Sequence, residues 1–241
     1  MRVLLLGGTA EGRELARRLH PRVDNISSLA GRVPDPALPV GPVRIGGFGG
    51  TDGLRRWLQE EHIDAVVDAT HPFAATMTAH AAEVCRELAM PHLVLARPPW
   101  DPGDAIVVAS DTHAAATVAE QRFTRVFHTT GRSGVKAFAA GDAWFLIRAV
   151  TEPDGALLPR HHQLVLSRGP YRYDDELRLL TQHRIEALVT KNSGGDMTRA
   201  KLDAAAALAI PVVMVARPPL PHGVTAVGTV EEAADWVAGI R

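Results

Sequence analysis

The feature that most restricts the fold of this chain is that its second half repeats its first. Met77-Thr78 through Leu88-Ala89-Met90-Pro91 aligns without a gap on Met197-Thr198 through Leu208-Ala209-Ile210-Pro211. At the same offset, Ala96-Arg97-Pro98-Pro99 aligns on Ala216-Arg217-Pro218-Pro219. Upstream, Ile63-Asp64-Ala65-Val66-Val67 resembles Ile185-Glu186-Ala187-Leu188-Val189 with two residues of slippage; downstream, Ala105 to Val108 and the helix after it resemble Thr225 to Gly228 and theirs. In both copies, short apolar runs without polar alternation read as strands buried on two faces, and they alternate with stretches of helical period. Each half is thus its own strand-helix array. The expected architecture is two parallel α/β domains facing each other, with a boundary between Trp100 and Ala115.

In the first copy the run Val3-Leu4-Leu5-Leu6 breaks on Gly7-Gly8-Thr9-Ala10-Glu11-Gly12-Arg13 and leads into Glu14 to Leu19, a strand, turn and helix. Gly7 and Gly12 occupy the outer positions of a G-x-G-x-x-G dinucleotide fingerprint, Thr9 stands at the middle one and Gly8 is displaced by one. Glycine lets the backbone come close to a ligand, and free N–H groups at the helix start favour an anion such as a pyrophosphate. Glu11 suits the helix dipole but repels a phosphate if aimed at it. The next strand, Asn25 to Ala30, ends on Gly31-Arg32. A carboxylate there selects NAD, whereas an arginine accommodates the extra phosphate of NADP, so these residues favour NADPH. Gly46-Gly47-Phe48-Gly49-Gly50 is a second flexible turn. The strand Ala65 to Val67 ends in Asp68-Ala69-Thr70-His71, at the place where a parallel sheet holds its ligands, and His71 is positioned to contact cofactor or substrate.

The second copy differs where it matters chemically. Thr129-Thr130-Gly131-Arg132-Ser133-Gly134 replaces the first glycine turn, and Lys191-Asn192-Ser193-Gly194-Gly195 replaces Thr70-His71-Pro72. Arg132, Lys136, Lys191 and Lys201 fall near the rim of this crevice, joined by Arg97 and Arg217 at the repeated strand ends. With Asn192 and Ser193 as further donors, the set suits a ligand bearing several carboxylates. Residues 153–162 form a polar linker with the composition of a lid.

Other classes lose support. The chain has 241 residues, 46% hydrophobic and 22% charged, with a formal net charge of -1, and no feature of its composition attracts nucleic acid or a membrane. No apolar run reaches the length of a membrane span and the N-terminus lacks a signal-peptide pattern, so the cytoplasm is the expected location. Cys85 is the single cysteine, which excludes an intrachain disulfide and a cysteine-based zinc site. No metal is expected: among eleven histidines only His161-His162 are adjacent, and no carboxylate spacing completes a site. There is no G-x-S-x-G elbow, P-loop lysine or H-E-x-x-H helix. Tyr171 and Tyr173, the only tyrosines, are followed four residues on by Asp175 and Leu177, so the tyrosine-lysine pair of many nicotinamide alcohol dehydrogenases is absent. The residues leave open a non-catalytic NADP(H)-binding protein, and a transferase using an adenosyl cofactor on the same turn; Arg32 argues against the latter.

Taken together and in order, Gly7 to Arg13, Asp68 to Ala74, Thr130-Gly131-Arg132, Ser167-Arg168-Gly169-Pro170, and Thr190 to Gly195 with Lys201 resemble the precorrin-6A reductase family of cobalamin biosynthesis. The likeness runs over nearly the whole chain. It implies two Rossmann-like domains, residues 1–100 binding NADPH and residues 101–241 binding a tetrapyrrole with many acetate and propionate arms, their last strands near 105–108 and 225–228 exchanged between the sheets. It also implies hydride transfer to the ring D carbon joined directly to ring A, protonation of the neighbouring carbon, and hand-over of product to the next pathway enzyme. The cofactor-binding residues would be Gly7, Gly8, Thr9, Glu11, Gly12, Arg13, Gly31, Arg32, Gly47, Asp68, Ala69, Thr70 and His71. Arg97, Arg132, Lys136, Lys191, Asn192, Ser193, Lys201 and Arg217 would bind substrate. The resemblance names no proton donor, and it accommodates a cobalt-bearing substrate as well as a metal-free one, because the peripheral carboxylates are the same.

Overall fold

A computed structural model describes residues 1–31 and 36–240. The chain runs through β1 (Arg2–Leu6), α1 (Ala10–Leu19), β2 (Asp24–Leu29), β3 (Val43–Ile45), α2 (Gly50–Glu60), β4 (Ala65–Asp68), α3 (Ala75–Glu87) and β5 (His92–Leu95). It continues through β6 (Ile106–Val108), α4 (Asp111–Glu120), β7 (Arg125–His128), a 3-10 turn (Val135–Phe138), β8 (Trp144–Ala149), a second 3-10 turn (Gly155–Leu157) and β9 (His162–Leu166). The last elements are α5 (Tyr173–Gln182), β10 (Ala187–Lys191), α6 (Ala200–Ala207), β11 (Val212–Val215), β12 (Thr225–Val227) and α7 (Val230–Gly239).

These elements form two compact units, Met1–Pro98 with Pro218–Arg241, and Pro99–Arg217. Each holds a six-stranded parallel sheet, in the orders β12-β5-β4-β1-β2-β3 and β6-β11-β10-β7-β8-β9. The fold is therefore α/β with two Rossmann-like sheets, and the outermost strands are exchanged. β6 follows β5 in the chain but pairs with β11, Ile106 opposite Val213; β12 follows β11 but pairs with β5, Thr225 opposite Leu93.

Burial on both faces explains the unbroken apolar strands. Val3 and Leu5 pack with Leu15, Leu19, Val67, Leu93 and Val237 on one side of the first sheet, while Leu4 and Leu6 pack with Leu54, Leu58, Val66 and Val84 on the other. Each such side chain contributes about 1.5–3 kcal/mol when fully buried. In the second unit Phe127, Leu146, Leu180, Leu188 and Ala205 form the matching cluster. Helix starts follow their capping residues: Thr9 accepts from Gly12 N, Ser110 from His113 N, and Thr229 with Glu232 closes a capping box on α7.

The repeat is not copied throughout. After β1 comes the ten-residue α1, but after β7 only the single 3-10 turn Val135–Phe138. Gly134 and Gly141 bracket that turn. A Cβ at Gly134 would lie 1.9 Å from Thr130 Oγ1, and one at Gly141 3.2 Å from Phe138 O, so the segment is held against its neighbours at both ends and has no length for a helix.

Candidate functional site

Two groups of side chains gather at strand ends, one in each unit. In the first, β1 ends on Gly7, whose N–H donates to Ser28 O at 2.9 Å and keeps the turn in register with β2. Gly8 has φ +118, and nothing lies within 4 Å of where its Cβ would be, so this side of the turn is open. Thr9 turns inward instead: Oγ1 accepts from Gly12 N at 3.0 Å and donates to Ala69 O at 2.7 Å, tying the start of α1 to the end of β4. At Gly12 an added Cβ would meet Ala69 Cβ at 3.4 Å and Gly7 Cα at 3.5 Å, which is the close helix-to-strand packing a fingerprint glycine permits. Thr9 therefore does by hydrogen bonding what a second glycine would do by leaving space.

Charge at this turn is balanced locally. Glu11 pairs with Arg97 at 2.8 Å, both side chains largely buried. Its carboxylate is thus neutralised by Arg97, a cation expected from the sequence at the substrate crevice. Arg13, half-buried in the first turn of α1, adds positive charge.

Asp68 is buried, and its carboxylate is consumed by the turn it begins. Oδ1 accepts from Thr70 N at 2.9 Å and Thr70 Oγ1 at 2.6 Å, and Oδ2 from Thr78 Oγ1 at 2.6 Å. The residue shapes the strand end and anchors α3. His71 lies exposed beyond it, Nδ1 accepting from Phe73 N at 3.2 Å. At the end of β2, Gly31 has φ +69, and its Cβ would press on Ile45 Cγ2 at 3.2 Å. Arg32 lies outside the described residues.

Arg44, absent from the expected set, holds the neighbouring glycine turn. Its guanidinium donates to Gly46 O at 2.5 Å, Gly47 O at 2.7 Å and Ser28 Oγ at 3.3 Å, and stacks 3.9 Å over Phe48. Gly46, at φ +124, and Gly47 have open space where a Cβ would stand. The sequence carried a signal for this: an arginine in a short strand immediately before a glycine run faces a row of bare carbonyls.

In the second unit, Lys191 Nζ at the end of β10 donates to Thr130 O at 3.0 Å and lies 3.4 Å from Asp111 Oδ2. His128 is buried behind them, its Nε2 hydrogen-bonded to Thr130 Oγ1 at 2.9 Å. Burial pushes this imidazole down to about 4, so it is neutral at pH 7. Arg132 and Lys136 are exposed, with no ion-pair partner among the described residues.

The remaining expected substrate contacts lie in the loop 192–195 or against it and Trp100. The side-chain amide of Asn192 pairs with Trp100, Oδ1 accepting from its N–H at 2.8 Å and Nδ2 donating to its C=O at 3.0 Å. Arg217 donates from Nε to Asn192 O at 2.8 Å and from a terminal nitrogen to Ser193 O at 3.0 Å. Lys201 is only 5% exposed; Nζ donates to Thr198 O at 2.7 Å and sits 4.7 Å over the Trp100 ring. Burial, with Arg148 reinforcing it and Glu176 opposing, pulls this ammonium down to about 7. Arg148 and Glu176 form a buried bidentate pair at 2.7 and 2.9 Å, with the guanidinium 4.0 Å over Tyr171.

Among the described residues no group of three His, Cys, Asp or Glu side chains is arranged to hold a metal ion, and no helix is long and apolar enough to cross a membrane.

Comparison with known proteins places this geometry in context. The family model described as precorrin-6x reductase CbiJ/CobK matches residues 2–238. The precorrin-6A reductase of Mycobacterium tuberculosis is 73% identical over 239 residues, covering 99% of this chain and 98% of the relative. That of Rhodococcus erythropolis is 53% identical, with coverage of 98% and 97%. A solved structure titled CobK precorrin-6A reductase superposes with a TM-score of 0.91 at 36% identity, covering 99% of this chain and 96% of the other.

Proposed function

The chain belongs to the precorrin-6x reductase family and is an oxidoreductase, and on that premise we propose that it reduces one ring double bond of precorrin-6A with NADPH, giving precorrin-6B in cobalamin biosynthesis. The observation that carries the cofactor half is the β1–α1 turn. There Gly8 leaves one side open, Arg97 cancels the Glu11 carboxylate and Arg13 adds a cation, so the start of α1 favours an anion. Residues and group fit. The pyrophosphate would be held by the turn Gly7 to Gly12 with Arg13. The adenosine end would lie by Gly31 and the Gly46–Gly47 turn that Arg44 fixes. Ala69, Thr70 and His71, on the turn shaped by Asp68, would border the nicotinamide end. The residues directly after β2, Ala30-Gly31-Arg32, include no carboxylate to demand a free ribose hydroxyl, and Arg32 would offer charge to a 2′-phosphate.

When bound, NADPH supplies a hydride and leaves as NADP+, while the carbon beside the hydride acceptor takes up one proton. The protein's part is position and charge. Arg132 and Lys136 are exposed cations suited to peripheral carboxylates, and Lys191 and Ser193 belong to the donor-rich strand end beside them. The metal-free macrocycle is the proposed substrate, since the two relatives named above carry it in their names, and the cytoplasm is the proposed location.

Anaerobic single-turnover absorbance with NADPH and precorrin-6A tests this. Loss of reduced-nicotinamide absorbance in step with the change in the macrocycle spectrum, one to one, is the expected result. Cofactor binding without oxidation would overturn it, and turnover confined to the cobalt-bearing substrate would reassign the substrate.

A further inference from the structure

Trp100 spends nearly all its polar capacity on one loop. Its backbone N–H and C=O pair with the Asn192 amide, and its indole Nε1 donates to Gly195 O at 2.8 Å. Gly194 and Gly195 both have positive φ, +67 and +72, so the loop depends on such anchors to keep a single path. Beneath the indole lies the Lys201 ammonium, an expensive group to bury and one with no carboxylate bonded to it among the described residues. The charged groups facing it are Arg148 on β8 and Glu176 on α5, and these are paired with each other. Its own hydrogen bond, to Thr198 O, is to the segment leading into α6. What the ammonium contributes beyond that bond is attraction to the indole face.

We propose that Lys201 is a positioning residue for substrate: its ammonium seats the Trp100 indole, Trp100 fixes the loop Asn192–Gly195, and that loop sets where this strand end presents its donors. The inference rests on the reading of the second unit as the macrocycle site. Lys201 then acts without touching substrate, and Trp100, which the sequence does not mark, takes a role in substrate affinity.

The charged form of Lys201 predominates below about pH 7 and is lost above it. The KM for precorrin-6A is therefore expected to rise through that point and level off about five- to tenfold higher, the effect of losing one ammonium–indole attraction, while kcat and the affinity for NADPH stay flat. Lys201→Met should have a high KM without this pH dependence, and Lys201→Arg, always charged, a low KM without it. Trp100→Phe keeps the ring and removes only the indole donor; it should raise KM about five- to tenfold at every pH, the effect of one buried hydrogen bond. Trp100 fluorescence, taken as the difference between wild type and Trp100→Phe, should titrate with a midpoint near 7 in wild type and not in Lys201→Met. This readout needs no turnover, so an inactive wild type would count against the function while fluorescence still judged the pair. The proposal is overturned if Trp100→Phe keeps the wild-type KM, if Lys201→Met keeps the wild-type pH profile, or if Trp100 fluorescence does not titrate. Should Lys201→Arg fail to fold, Trp100→Phe and the fluorescence titration decide.

Discussion

Replacing Lys201 with methionine should make the protein more stable, and by an amount that depends on pH. Burial takes this group from its ordinary 10.5 to about 7. Each tenfold in proton affinity is worth about 1.36 kcal/mol, so the buried charge costs the fold roughly 5 kcal/mol below pH 7. Methionine gives up the hydrogen bond to Thr198 O and the attraction to Trp100, together about 2 kcal/mol. The net gain is about 3 kcal/mol, within the range for exchanging a buried charge for an apolar side chain. The sign with pH follows from proton counting. Between about 7 and 10.5 the unfolded chain binds a proton that the folded chain does not, so native stability rises with pH across that window. The advantage of Lys201→Met is full below the window and shrinks through it. Urea unfolding of both proteins at about pH 6, 8 and 10 measures this, the points being chosen to span the linkage window. An advantage that does not change with pH, or a variant less stable throughout, would refute the reasoning.

Three further outcomes are expected. Thr9→Ala removes the cap on α1 and the bond to Ala69 O, and should cost about 1–2 kcal/mol in urea unfolding while weakening NADPH binding in calorimetry. Glu176→Gln leaves the Arg148 guanidinium without its buried counter-charge and should cost about 3–5 kcal/mol, seen as a lowered unfolding midpoint. Arg32→Asp should weaken NADPH binding by roughly 1–3 kcal/mol and NADH binding far less; equal losses for both cofactors would remove Arg32 from the 2′-phosphate.

Much of the architecture was legible because it rests on local pattern. Val3 to Leu6 reads as a doubly buried strand and is one, and the repeat announces two sheets of like order. What the residues alone could not disclose is non-local. Ile106 to Val108 is as apolar as any core strand, yet nothing in it says that its partner is Val213 to Val215; the family resemblance supplied that. Identical motifs also met different surroundings. Arg97 and Arg217 both sit in Ala-Arg-Pro-Pro, but one pairs with the Glu11 carboxylate and the other donates to the carbonyls of Asn192 and Ser193. Lys201, between Ala200 and Leu202 in an alanine-rich helix, looks like a solvated charge until Trp100, Arg148 and Glu176 close around it. Burial depends on what packs from elsewhere in the chain, and side-chain type does not encode it.

The strand exchange also sets an order of assembly during synthesis. The unit Pro99–Arg217 is one continuous stretch and has every strand of its sheet once β11 has left the ribosome. The other unit, begun earlier, must wait for β12 and α7, because β12 closes the open edge of β5 and α7 brings Ala233 and Val237 against Leu15 and Leu19. The half begun first is therefore completed after the other, and until β12 emerges it carries an unpaired parallel edge. A premature stop after Arg217 would leave the later unit whole and the earlier one aggregation-prone.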